Sequence, residues 1–149
     1  MTTKYIIDLR LIAILAMLID HIGLIFFPGQ IGFRLIGRLA FPLFAWGVAQ
    51  GAKYSHDWKK YAFRLFIFAL ISQYPFYLFT TIAPYPLAKT NVVFTLLFGL
   101  IAIQTYKSNL NNIFKVLIWS LKSAICYLIS SDYGIAGILT VLFAYLFAS

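Results

Sequence analysis

YIIDLRLIAILAMLIDHIGLIFF, residues 5–27, is the stretch whose reading decides the fold. A bilayer core about 30 Å thick takes about 20 apolar residues in helical form. This run supplies them and then stops at Pro28-Gly29, a natural helix terminator. It is too long for a cleaved leader, carries Asp8, Arg10, Asp20 and His21, and is followed by no small-x-small cleavage site. It is therefore expected to be a retained membrane span.

Working outward, five further apolar stretches cover residues 31–51, 61–81, 92–106, 113–129 and 133–147. Pro75 is expected to kink the third. The last three are short for spans and are expected to thin the bilayer locally or to lie against their neighbours. The fold class is all-α: a polytopic transmembrane helix bundle of about six spans, with residues 1–149 forming one integral-membrane domain. Composition agrees, since 62% of the 149 residues are hydrophobic and only 11% charged, whereas a soluble domain has about a quarter charged. A soluble fold of this size would carry an oily exterior, which excludes a cytosolic enzyme, a disordered chain and a secreted disulfide scaffold. Cys126 is the single cysteine, so no internal disulfide is available and an inert, small apolar role is expected.

Net charge is +8, from twelve Lys and Arg against four Asp. The basic residues lie mostly between apolar runs, so the charge reads as membrane topology and no nucleic-acid partner is expected. Lys4, Lys53, Lys59, Lys60, Lys107 and Lys115 fall on the N-terminal side of the bundle. Arg34, Lys89 and the turn Ser130-Ser131-Asp132 fall on the other. The positive-inside rule then predicts a cytoplasmic N-terminus.

Charges within the spans are the informative residues, because each costs on the order of 2.5–3.5 kcal/mol at mid-membrane and calls for a partner or a function. Asp8 and Arg10 lie near the inner mouth, and Arg10 has a snorkelling path to the headgroups. Arg10 and His21 are eleven helical steps apart, which puts them on one face, roughly 16 Å apart along the axis. That spacing predicts one cleft lined by both. Arg34 and Arg38, at i and i+4, stack on the second helix, where Gly32 and Gly37 are expected to permit close approach. Structural readings compete with functional ones: Arg34 as an interfacial anchor, Asp20 and Arg38 as a buried ion pair, His21 as a hydrogen-bonded structural group. His56 belongs to a solvated loop, and Lys122 in the fifth helix needs a partner. Gln73 and Tyr74 precede Pro75, Asn91 opens the fourth helix with Thr95 one turn on, and Asp132 suits the N-cap of the last. Two histidines and four aspartates are too scattered for zinc, so no metal is expected.

Four blocks carry a resemblance: RLIAILAMLIDHIG at 10–23 with FFP at 26–28, RLIGRLAFPLFA at 34–45, NVVFTLLFG at 91–99 and DYGIAGIL at 132–139. Together they resemble TraX-type membrane proteins over essentially the whole chain. That resemblance implies a link to N-terminal acetylation of conjugative pilin in the bacterial cytoplasmic (inner) membrane. It also implies kinship with multi-helix membrane acyltransferases, whose basic residue, ten intervening residues and histidine match Arg10 and His21 here.

The function expected from residues and resemblance together is a membrane-embedded acetyltransferase using cytosolic acetyl-CoA. Its acceptor is an amine or hydroxyl of a membrane-associated molecule such as pilin or an envelope glycan. His21 is the expected general base or acetyl relay, with Asp20 tuning the local field. Arg10, Arg34 and Arg38 are expected to bind the cofactor phosphates or the developing oxyanion. The rival from another class is a small permease or scaffold with a structural Arg/Asp/His network. TraX-type proteins carry further helices after the Asp-Tyr-Gly segment, so this chain is expected to be a short form or a fragment.

Overall fold

The computed structural model describes residues 3–84, 89–128 and 133–148, with the side chains of all but 3–7, 122 and 126–128. These residues form six α-helices: α1 (Thr3–Phe26), α2 (Ile31–Tyr54), α3 (Trp58–Ile82), α4 (Val92–Lys107), α5 (Asn112–Leu128) and α6 (Gly134–Phe147). Among the described residues there is no β-strand. The helices coincide with the six apolar stretches, but only three contain segments long and apolar enough to cross a membrane: Asp8–Phe26, Ile31–Tyr54 and Trp58–Ile82. Helices α4 and α6 are apolar but shorter, at 16 and 14 residues. Helix α3 continues through Pro75 as one element.

Helix α4 sits at the centre. Val93, Thr95, Leu96, Leu97, Leu100, Ala102 and Ile103 bury its full circumference, which is why it is apolar all round rather than striped. Phe41, Ala45 and Val48 of α2 and Val141 and Leu142 of α6 close the core around Leu96, Leu100 and Ile103. Two glycines let these backbones meet: a Cβ on Gly99 would collide with Val141, and one on Gly137 with Thr95. The outer helices do the opposite. Leu11, Leu15 and Leu18 of α1 and Phe63, Phe66, Ile67 and Ile71 of α3 face outward, a surface for which acyl chains rather than water are the compatible solvent.

Contacts at the helix ends set the relative heights. Lys53 Nζ donates to the Ala148 carbonyl at 2.6 Å, tying the C-terminal ends of α2 and α6 together. At the opposite end, Asn91 caps α4 by accepting from the Val93 amide at 3.0 Å. Its Nδ2 donates to the Ala69 carbonyl at 2.8 Å and to Gln73 Oε1 at 3.0 Å. Gln73 Nε2 in turn donates to the Lys89 carbonyl at 2.8 Å. This clamp starts α4 beside the middle of α3. Tyr133, the N-cap of α6, stacks on Phe41 with ring centroids 3.9 Å apart, which starts α6 well inside the length of α2.

Each short helix therefore begins roughly 12–15 Å below the N-terminal end of α2, its shortfall of eight or ten residues at 1.5 Å per residue. The missing turns leave a hollow at that end. Asn91→Ala removes the cap and both interhelical donors, so we expect a loss of about 1–3 kcal/mol of stability, read as a lowered melting temperature in detergent.

Asp57 opens α3 outside the spans. Its carboxylate accepts from the Lys59 amide at 3.0 Å and the Lys60 amide at 3.2 Å. The Lys60 backbone hydrogen bond, chiefly, holds its carboxyl below the ordinary aspartate value. A depressed folded-state value means that the cap stabilises fully above the unfolded aspartate range and is lost as pH falls through the folded value. Melting temperature is accordingly expected to fall as acid protonates Asp57, with a shallower acid limb in Asp57→Asn.

Candidate functional site

The hollow is a cavity of about 860 Å³. Met17, Asp20, His21 and Leu24 line it from α1 at the i, i+3, i+4, i+7 spacing of a single helical face. Arg34, Gly37, Arg38 and Phe41 come from α2, and Phe68, Ser72, Pro75, Phe76 and Phe79 from α3. The starts of α4 and α6 add Asn91, Val92, Val93 and Tyr133.

His21 is half-buried there. Its Nδ1 lies 2.7 Å from the Met17 carbonyl, one turn back in the same helix. A carbonyl only accepts, so Nδ1 is the donor in this contact, and in the neutral imidazole the lone pair then falls on Nε2. Phe79 packs on the ring at 4.4 Å between centroids, tilted by 49°. The imidazole is thus held on two sides, by the Met17 carbonyl and by Phe79.

Asp20 pairs with Arg34. Nη1 of Arg34 donates to both carboxylate oxygens, at 3.1 and 3.0 Å. The sequence alternative paired Asp20 with Arg38 instead. The turn at 27–30 folds α2 straight back along α1, so the register brings Arg34 opposite Asp20 and leaves Arg38 one turn deeper. Gly37 enforces the fit, because a Cβ there would collide with the Asp20 side chain, and Gly23 makes the matching contact with Phe33. Gly32, expected to serve the same purpose, has open space around it.

Arg38 lines the cavity and, among the described residues, has no carboxylate within ion-pair distance. With Asp20 balancing Arg34, Arg38 is, among the described residues, the lining cation without a carboxylate partner. Arg10 does not line this cavity. It lies against α2, its Nε 3.9 Å from where a Cβ on Gly47 would stand. The shared face of α1 is real, but the hollow is only as deep as the starts of α4 and α6. Arg10 is exposed beside α2 and lines none of the cavity that His21 lines, so the expected common cleft for Arg10 and His21 is not formed.

Sequence reasoning missed Phe79 and Ser72, which carry no signal apart from their place on α3. Gln73 and Asn91 stood out as polar residues at a proline and at a helix start, yet their joint role needed the fold. His56 lies in an exposed loop. The side chains of Lys122 and Cys126, and Asp132 with the adjoining serines, lie outside the described residues. Among the described residues no group of three or more His, Cys, Asp or Glu gathers as metal ligands would.

The protein family described as TraX protein matches residues 7–149. The chain is 33% identical over 148 residues to the probable fimbrial assembly protein FimC, serogroup H1, of Dichelobacter nodosus, covering 91% of this chain and 59% of that protein. It is 32% identical over 143 residues to protein TraX of Escherichia coli, covering 92% and 54%. It is 30% identical over 112 residues to the uncharacterized protein RP591 of Rickettsia prowazekii (strain Madrid E), covering 75% and 42%. The chain thus spans about half the length of these relatives. No solved structure matches it.

Proposed function

The chain belongs to the TraX family, and from that premise we propose that it is a membrane-embedded acetyltransferase that moves an acetyl group from acetyl-CoA to an amine or hydroxyl. The N-terminus of a pilus subunit is the first acceptor to test, an envelope glycan the second. In this reading all six helices are embedded in the bacterial cytoplasmic membrane with the N-terminus inside, and Arg10, which does not line the cavity, takes no part in the transfer step. The observation that carries it is His21, with Nδ1 committed to the Met17 carbonyl and Nε2 available in a cavity walled by apolar side chains.

The chemistry follows from those positions. Nε2 takes the proton of the acceptor N–H or O–H as the acceptor attacks the thioester carbonyl. Arg38, which has no carboxylate partner among the described residues, stabilises the negative charge that gathers on the carbonyl oxygen. The tetrahedral intermediate collapses with cleavage of the C–S bond, and the leaving thiolate recovers the proton from the imidazolium. Asp20 is occupied by Arg34 and contributes to the field and to the α1–α2 fit rather than to proton transfer.

The test is transfer of labelled acetyl from acetyl-CoA to a peptide amine by the protein in vesicles, together with mass spectrometry of envelope proteins and glycans with and without it. A defined molecule heavier by one acetyl group supports the proposal. The closed Asp20–Arg34 pair favours the second reading, a permease or scaffold with a structural charge network. Solute flux with no consumption of acetyl-CoA would establish that reading instead.

A further inference from the structure

Three features of the cavity point to what enters it. The first is charge: the Asp20–Arg34 pair cancels itself, and among the described residues Arg38 is left without a carboxylate partner. The second is wall chemistry. Met17 and Leu24 on α1 and Phe68, Phe76 and Phe79 on α3 face the same hollow. The third is the open side. Helix α1 packs chiefly on α2 and α3 chiefly on α4, and among the described residues no hydrogen bond or ion pair joins α1 to α3. The contact that closes the gap is the His21 ring on Phe79, two side chains rather than backbone.

We propose that this cavity binds an anionic phospholipid, which enters sideways from the bilayer between α1 and α3, sets its phosphate on Arg38 and lays an acyl chain between the two apolar stripes. Depth agrees. Arg38 lies seven residues into α2, about 10 Å below the helix end, and an arginine stem reaches upward toward the headgroup layer, so a phosphate need sink only a few ångströms to meet it. Guanidinium and phosphate form the strong, charge-assisted pair. A volume of about 860 Å³ is far more than an acetyl group fills, and a headgroup with part of a chain occupies the remainder. The inference rests on reading this cavity as the binding site of the proposed enzyme, but not on acetyl transfer. A lipid held there competes with the acceptor.

Native mass spectrometry of the full chain, released from detergent with defined additives, tests it. Phosphatidylglycerol is expected to remain bound in clear preference to phosphatidylcholine of the same acyl chains, whose choline cation meets Arg38 unfavourably. Arg38→Gln is expected to weaken phosphatidylglycerol binding on the order of ten- to a hundredfold, and Arg38→Lys to restore part of it. Ser72→Trp, which fills the slot on the α3 side, is expected to abolish the adduct. Equal retention of the two lipids overturns the proposal even if the variants fail to fold. So does inorganic phosphate competing as well as the lipid does, or an apolar peptide displacing it without regard to charge. Failure of the acetyl-transfer reading is read separately, as absence of labelled acetyl transfer by a protein that still retains phosphatidylglycerol in preference to phosphatidylcholine, so the two failures give different results.

Discussion

His21→Ala is expected to lower acetyl transfer by about 10²–10⁴-fold, the range that a positioned general base contributes. At 1.36 kcal/mol per factor of ten, that is about 3–5 kcal/mol of lost transition-state stabilisation. The loss should appear in kcat with little change in KM for acetyl-CoA, because the imidazole acts on the proton of the acceptor and not on the donor. The helix should survive the change. The ring of His21 hydrogen-bonds the Met17 carbonyl of its own helix, and it is only half-buried against Phe79. Single-turnover transfer in vesicles, with circular dichroism on the same sample, separates chemistry from folding. Full transfer by a folded His21→Ala protein would remove the histidine from the mechanism.

The second large effect is at a glycine. Gly37→Ala is expected to cost about 1–3 kcal/mol of stability, the usual penalty for forcing an extra methyl into a packed contact. The collision is with the Asp20 side chain, so relief requires α1 to move away or Asp20 to turn from Arg34. Either response also disturbs His21, the next residue in the same helix turn. Gly32→Ala is the internal control. It lies on the same helix, has nothing within 4 Å of the added methyl, and should be neutral or stabilise by up to about 1 kcal/mol through helix propensity. Thermal melts of the two variants in one detergent check the contrast, and equal melting temperatures would show that the tight α1–α2 fit is not what holds the pair.

Asp20 and Arg38 show why the site was only partly readable. Each stood out in the sequence because a charge inside an apolar run is expensive wherever it ends up. Their partners are a different matter. Asp20 could have met either arginine of α2, and the choice depends on a four-residue turn and a glycine contact that fix register to within one helical turn. Arg10 makes the same point in reverse. Its shared face with His21 follows from the 100° step alone, but whether that face lines a cavity depends on where other helices begin.

The sequence by itself determined that the chain is helical, where its six helices lie, that its exterior suits lipid, and that His21, Asp20, Arg34 and Arg38 are the side chains needing an account. These follow from apolar run length and helical periodicity, which are local quantities. Only the tertiary structure decided that α4 and α6 start two turns or more below the end of α2, that the resulting hollow takes in His21 and Arg38 but not Arg10, and that Asp20 belongs to Arg34. Those outcomes depend on the relative height and register of helices far apart in the chain, which contacts such as Asn91 on Ala69 and Tyr133 on Phe41 fix and no single segment encodes.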